Sequence, residues 1–393
     1  MLSRITQKTL QPPARVGIIG GGQLGRMITV EAKRMGYQVT ILDPTPSSPA
    51  GQVADKQIIA SFTDEKAIKA LASGCDVITY EFEHIDASIL IELELEGYRV
   101  YPSGKTLKNI QDKFVQKTIL KNAGVPVPDF FAINNLHNIT DCINEIGFPL
   151  ILKTRTGGYD GKGNILIRTT DRFLHAFEEF KDCSLMAERV VDFERELSIV
   201  VAVDTCGNIS HYPIVENIHE NSILRLTRAP AVLDSEIERK IFYIVRNVMK
   251  VLNDCGVFCI EMFLDKKGEV YVNEIAPRPH NSGHFTIEAC VTSQFEQLVR
   301  IITGMPLGST KQSKPCVMVN ILGSDMVEGE YCFDGVENIL SEEDLHLHIY
   351  GKRLTKNMKK LGHITVLGES IMTAENSAMR ALSMIRIKSS NLQ

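Results

Sequence analysis

Residues 257–283 read VFCIEMFLDKKGEVYVNEIAPRPHNSG, and this stretch decides the architecture. Val257–Leu264 and Glu269–Ile275 are strand-like runs joined by the polar turn Asp265-Lys-Lys-Gly268, which predicts an antiparallel hairpin. Glu261 interrupts an apolar strand, where an ionised carboxylate is costly unless paired or metal-bound. Side chains alternate faces along a strand. A two- or four-residue turn therefore sets Glu261 and Glu274 on one face, and a three-residue turn does so only with a bulge. Two carboxylates on one face suit the oxygen coordination of Mg²⁺, which also grips nucleotide phosphates. The plainer reading is a pair of sheet-surface acids. Pro277, Pro279 and Gly283 then fix a backbone that presents Arg278, His280 and Asn281 within a few residues of Glu274, as an active-site loop would.

Upstream, Lys153 to Gly163 (KTRTGGYDGKG) packs four glycines and three cations into eleven residues. Pro149–Thr154 and Asn164–Arg168 flank it as arms of a hairpin, so the loop reads as a flap whose backbone N–H groups and lysines wrap phosphates. It is not a Walker loop, because Gly163 follows Lys162 where Ser or Thr is required. A solvated hairpin tip is the alternative.

Nearer the start, Gly20-Gly-Gly-Gln-Leu-Gly25 satisfies G-x-G-x-x-G between a strand, Arg15–Ile19, and a helix marked by Leu24, Met27, Ile28, Ala32 and Met35. Asp43 closes the next strand, completing a dinucleotide fingerprint. By itself the loop promises only close backbone approach and an anion-attracting helix N-terminus. NAD(P), another phosphorylated ligand and a packing turn all stay open on this evidence.

The chain has 393 residues with 43 Lys+Arg against 48 Asp+Glu, a net charge of −5 that excludes a global field for nucleic acid or anionic membrane. No apolar run reaches the length of a membrane span, and the N-terminus MLSRITQKTLQPP has no signal-peptide core. Nine scattered cysteines form no disulfide framework; Cys255 and Cys259 lack a second pair at zinc spacing and read as structural thiols of a reducing cytosol. Strand and helix alternate to about residue 110, with further pieces at Gln57–Ala60, Glu65–Ala72, Val77–Tyr80 and Ser88–Leu95. Next comes an α+β mixture with helices at Lys113–Asn122, Asp171–Phe180 and Ser235–Leu252. A small, mostly β module follows Gly304. Three domains are expected, at 1–110, 111–310 and 311–393.

The order of a glycine-loop domain, an AE…ERELS segment and a two-Glu hairpin resembles the ATP-grasp superfamily. The strings GGGQLGRM, YEFEHI, KTRTGGYDGKG, AERVVDFERELS, ENIH and NEIAPRPHNSGH resemble, more specifically, the 5-(carboxyamino)imidazole ribonucleotide synthase family of ATP-dependent carboxylases, over roughly residues 15–370. The resemblance implies an ATP-grasp fold, α/β and α+β, preceded by a Rossmann-like parallel-sheet domain and followed by a small β-rich domain. It implies ATP with Mg²⁺ (or Mn²⁺), bicarbonate as co-substrate and aminoimidazole ribonucleotide as acceptor, without biotin or NAD. A cytoplasmic homodimer with no nucleic-acid or membrane partner is expected from it.

Position by position, Gln23, Leu24 and Glu81 would face the ribonucleotide. Lys113 and Lys153 would contact phosphates, and Gly158, Tyr159, Asp160, Gly161, Lys162 and Gly163 would close over them. Glu188, Arg189, Val190 and Val191 would hold the adenine edge, Glu196 the ribose, and His219 would approach the nucleotide. Asn273 and Glu274 would end that site, with Glu261 and Glu274 as metal ligands. Arg278 would grip bicarbonate or carboxyphosphate, Asp160 would take the amine proton, and His280 and Asn281 would orient groups nearby. Tyr159, Lys352 and Lys359 complete the substrate set. Family members carry a pattern like YxKExRxGRKMGH near the C-terminus, whereas Tyr350–His363 is one residue longer with Lys where Arg is expected. Which of Lys352, Arg353, Lys359 and Lys360 meets phosphate is therefore open. Three readings compete: a related formate-using ligase, which should differ at Tyr159-Asp160 and the His280-Asn281 loop; an NAD(P) oxidoreductase, which leaves the carboxylate hairpin unexplained; and a catalytically dead interaction protein, which would be expected to have lost Glu261 or Glu274.

Overall fold

The computed structural model describes residues 8–158, 161 and 163–390. Among the described residues the strands form four sheets. The first is parallel, in the order Lys56–Ile58, Gln38–Leu42, Arg15–Ile19, Val77–Tyr80, with helices Gln23–Arg34 and Glu65–Gly74 between its strands and Ala87–Leu95 after the last of them. This is the expected Rossmann-like unit, and its crossover helices exist because parallel neighbours cannot be joined by a tight turn.

The second sheet is antiparallel and small: Phe130–Ile133, Leu185–Arg189, Leu150–Thr154 and Asn164–Ile167. The flap's arms pair from Leu150↔Ile167 to Lys153↔Asn164. A nine-stranded sheet forms the body, running Val270–Ala276, Gly256–Asp265, Phe193–Val203, Val215–Glu220, Ile223–Ala229, Cys316–Leu322, Lys360–Leu367 and Leu345–Ile349, with Ile209–His211 beside Phe193–Val203. Ile223–Ala229 pairs directly with Cys316–Leu322, so one continuous sheet carries the C-terminal strands. Gly329–Asp334 forms the last sheet with Leu354–Thr355 and Arg386–Ser389.

The C-terminal part also holds a 14-residue helix, Ile371–Met384, that the reading as a β module did not anticipate. Ser370 and Thr373 close a capping box at its start. Its buried face is Ala374, Ala378 and Ala381, residues too small to give a strong apolar period.

The first domain and the large sheet share one buried apolar cluster. Leu24, Met27 and Ile28 belong to it together with Phe295, Leu298 and Val299 of helix Gln294–Ile302. That common core sets the first glycine loop beside the loop that follows Ala276.

Candidate functional site

The two-carboxylate hairpin is built by compensation. Asp265 donates its N–H to Glu269 O at 2.9 Å, leaving a three-residue turn with Gly268 at φ +80°. That turn alone would put Glu274 on the wrong face. The register shifts between Glu261 and Met262: Met262 opposes Val272 but Glu261 opposes Glu274, leaving Asn273 as the extra residue of a bulge. Glu261 and Glu274 thus become direct cross-strand neighbours.

Their environments differ. Glu274 pairs with Lys113, whose charge holds the carboxyl down at about 2. Burial and the charge of Glu274 push Glu261 up to about 7. Among the described residues, Glu261 lies 3.4 Å from His280 Nε2. The donor set therefore fits a hard divalent cation, with two carboxylates on one face and the second poorly neutralised. The described residues gather no group of three or more His, Cys, Asp or Glu able to hold a metal, so phosphate and water would supply the remaining oxygens.

Opposite lies a buried charge cluster. Glu188 bridges Lys153 Nζ at 2.7 Å and Lys117 Nζ at 2.7 Å, with side chains only 2%, 9% and 2% exposed. Burial alone would push the Glu188 carboxyl up, but the two lysines outweigh it and hold it at about 2. Burial lowers Lys117 to about 8 against the pull of Glu188. Lys117 Nζ also donates to Asn273 O at 2.9 Å, tying the cluster to the bulge. The Glu188 side chain accordingly organises lysines rather than lying free along an adenine edge. Lys117 was absent from the expected set, although it stands four residues after Lys113 on one helix face.

Strand Leu185–Arg189 ends in Val190 and Val191, both half-buried, which lead from the small sheet into strand Phe193–Val203 of the large one. Arg189 is exposed and pairs with Asp129 at 2.9 Å. Glu196 lies 2.7 Å from His219 Nδ1 on the adjacent strand. At the flap's base Arg155 forks onto Asp112, which also caps helix Lys113–Asn122. Gly157, Gly161 and Gly163 have φ of +79°, +75° and +81°. A Cβ at Gly161 would sit 2.3 Å from Ser222 Cβ, so the flap meets the turn after Glu220 where only glycine fits. Gly158 lies in the same loop, whereas Tyr159, Asp160 and Lys162 fall outside the described residues.

The first glycine loop already holds its anion. Glu81 accepts from Gly22 N–H and, at 2.5 Å, from Gly25 N–H. Asp43 accepts from Gly21 N–H and Thr45 N–H, both at 2.8 Å. The groups that would greet pyrophosphate and ribose are consumed internally. Leu24, expected to face the ribonucleotide, has its side chain in the core, 8% exposed. Gln23 opens the helix above Glu81.

The loop after Ala276 reaches this domain. Arg278 Nε lies 2.8 Å from Glu83 Oε1, so a carboxylate of YEFEHI holds the guanidinium. Glu83 was also missed, though it follows Glu81 by two residues. Asn281 exchanges amide hydrogen bonds with buried Asn320, at 3.1 and 2.8 Å. Burial and Arg278 keep His280 well below its usual pKa, so it is neutral. In the C-terminal basic run, Arg353 pairs with Glu330 in solvent and Lys359 Nζ donates to Leu354 O at 2.7 Å. Lys352 and Lys360 are the ones whose charge reaches the site, at Glu81 and at His219 and His280 respectively.

All nine cysteines carry free thiols, and Cys255 and Cys259 are both buried. No helix among the described residues is long and apolar enough to cross a membrane.

The chain is similar to known proteins over nearly its full length. Residues 14–111 match the ribonucleotide synthetase preATP-grasp domain, 118–295 the ATP-grasp domain, and 316–377 the phosphoribosylaminoimidazole carboxylase C-terminal domain. N5-carboxyaminoimidazole ribonucleotide synthase of Staphylococcus aureus (strain COL) is 41% identical over 364 residues, 92% of this chain and 95% of that protein. The crystal structure of the Thermotoga maritima synthetase of that name superposes with a TM-score of 0.87 at 45% identity, covering 96% of this chain and 100% of the other. The Aspergillus clavatus synthase in complex with ADP and 5-aminoimidazole ribonucleotide gives 0.85 at 34% identity, over 94% and 98%. The carboxylates, the lysine cluster and this likeness over nearly the full length lead to one conclusion: the chain belongs to the N5-carboxyaminoimidazole ribonucleotide synthase family of ATP-grasp ligases.

Proposed function

We propose that the chain carboxylates the amino group of 5-aminoimidazole ribonucleotide at the expense of ATP, with bicarbonate as carbon source and the residues above in the following roles. The observation that carries the reading is the bulge-made pair Glu261–Glu274, flanked by Lys113 and His280. Glu261 and Glu274 would hold Mg²⁺, which when bound neutralises phosphate charge. Lys113, Lys117 and Lys153 surround the space for the β- and γ-phosphates, and Val190 and Val191 offer backbone groups to adenine. Glu196 accepts from the ribose, and His219, held by Glu196, lies against the nucleotide. The Gly158–Gly163 flap covers the phosphates.

A bicarbonate oxygen attacks the γ-phosphorus, the bond to the ADP oxygen breaks, and carboxyphosphate forms; fixed positive charge and positioning supply most of the acceleration. Arg278, aimed by Glu83, presents a fork to the carboxyl group. Carboxyphosphate then divides into phosphate and CO₂ in the covered pocket. The exocyclic amine bonds to carbon and gives its proton to a base, for which Asp160 is the candidate. His280 stands beside Glu261, and Asn281 is fixed by Asn320. Gln23 and Glu81 face the imidazole, Tyr159 the substrate, and Lys352 with Lys360 its phosphate. Lys359 is the weaker choice because its ammonium is engaged at Leu354 O. A cytoplasmic homodimer is part of the same reading.

The test is ATP hydrolysis with Mg²⁺ and bicarbonate, with and without the ribonucleotide. Phosphate release strongly stimulated by the ribonucleotide supports the assignment; release indifferent to it points to another acceptor amine. Asp160→Asn is expected to slow turnover by about 10²–10⁴-fold, and an unchanged rate removes Asp160 from the mechanism.

A further inference from the structure

Behind His280 runs a line of buried polar groups that no phosphate or substrate role explains. Thr227 Oγ1 donates to Asn217 Oδ1 at 2.9 Å, and Asn217 Nδ2 donates to Ser198 Oγ at 2.8 Å. Ser198 Oγ donates to Ser282 Oγ at 2.8 Å, and Ser282 Oγ lies 2.9 Å from His280 Nδ1. Ser198, Thr227 and Ser282 are fully buried and Asn217 nearly so. The residues come from three adjacent strands of the large sheet and from the active-site loop. Such a buried network is retained at a cost unless every member is satisfied, and here each donates to the next.

The direction of that line has a chemical consequence. Ser282 N–H also points at His280 Nδ1, at 3.3 Å, and an amide can only donate. Nδ1 is therefore an acceptor, and the ring proton sits on Nε2, the atom 3.4 Å from Glu261. We propose that Ser282, driven by Ser198 and Asn217, is a positioning residue that holds His280 in its Nε2–H tautomer and aims that proton donor at the reaction centre. The role rests on the carboxylase reading above only for its effect on turnover. The tautomer itself is a property of the resting protein.

The experiment uses full-length protein labelled with ¹⁵N-histidine, with the His280 signals identified by their loss in His280→Gln among the ten histidines. Wild type is expected to show a protonated Nε2 and an unprotonated Nδ1 for His280. Ser282→Ala removes the 2.9 Å hydroxyl contact and leaves only the 3.3 Å amide, so it is expected to admit part of the Nδ1–H form and to lower kcat about 10–100-fold, as loss of an orienting partner does at metal-ligating histidines. The KM for ATP is expected to stay within about twofold, because the network does not reach the nucleotide lysines. Ser282→Thr keeps the hydroxyl and restores both readings. A wild-type His280 protonated at Nδ1, or an unaltered tautomer in Ser282→Ala, overturns the proposal. If the tautomer moves while kcat does not, the relay stands and the role of His280 in carboxylation is what fails.

Discussion

Glu81 lies with one carboxylate oxygen 2.5 Å from the amide of Gly25, filling the helix N-terminus that a dinucleotide pyrophosphate would need. A resident anion there repels a second one. MgATP should therefore raise the Tm of the protein, by mass action at its own site, while NADH leaves it unchanged. A thermal scan with each ligand checks this, and stabilisation by NADH would mean that Glu81 can leave the loop.

Glu188 stands between two buried ammonium groups, so removing its charge strands both. Glu188→Gln should destabilise the protein by about 3–5 kcal/mol in denaturant unfolding. Adding Lys117→Met to that variant should recover part of the loss. No recovery would mean that the lysine is not the group left uncompensated.

The bulge at Asn273 makes a sharper test of the site than any point substitution. Deleting Asn273 would only remove the bulge and leave Glu274 opposite Glu261, so the test exchanges the two residues: Asn273→Glu with Glu274→Asn sets an amide opposite Glu261 and moves the carboxylate to the bulge position. The double variant should remain folded by circular dichroism yet lose ATP turnover about 10²–10³-fold or more. Activity close to wild type would show that the second carboxylate need not stand opposite Glu261.

Glu94 gives a pH prediction away from the site. Burial raises its carboxyl to about 7, against the N–H of Gly104 and helped by Asp254. The folded protein thus binds a proton that the unfolded chain releases near the ordinary value. The stabilisation is complete below that value and is lost as pH rises toward 7. Glu94→Gln should flatten stability against pH between about 4.5 and 7. It should leave the variant about 1 kcal/mol more stable than wild type at pH 8, the full linkage being discounted because the side chain is half-exposed. Parallel pH curves for the two proteins would contradict this.

The basic run near the C-terminus separates by geometry. Lys360→Met should raise the KM for the ribonucleotide about 10–100-fold, the worth of a charged hydrogen bond, whereas Arg353→Met should leave it unchanged. Steady-state kinetics in ribonucleotide distinguish them, and equal effects would show that solvent-exposed Arg353 also reaches the phosphate.

Local chemistry settled much of this protein before any coordinates. The parallel unit followed from strand–helix alternation and the flap's arms from two apolar runs about a glycine loop, and helix Ser235–Leu252 has the bounds expected for it. Strings such as those at residues 153–163, 187–198 and 273–284 helped indicate the family, because functional loops keep residue order in the chain. What the tertiary structure decided were relations between distant segments. Register placed Glu274 opposite Glu261 through a bulge that no local signal announces. Packing delivered Lys117 to Glu188, Glu83 to Arg278 and Glu81 to the glycine loop, 56 to 195 residues away in sequence. A carboxylate's partner depends on which buried cation or amide the fold brings within about 3 Å, and that distance exists only once the sheets have closed on one another.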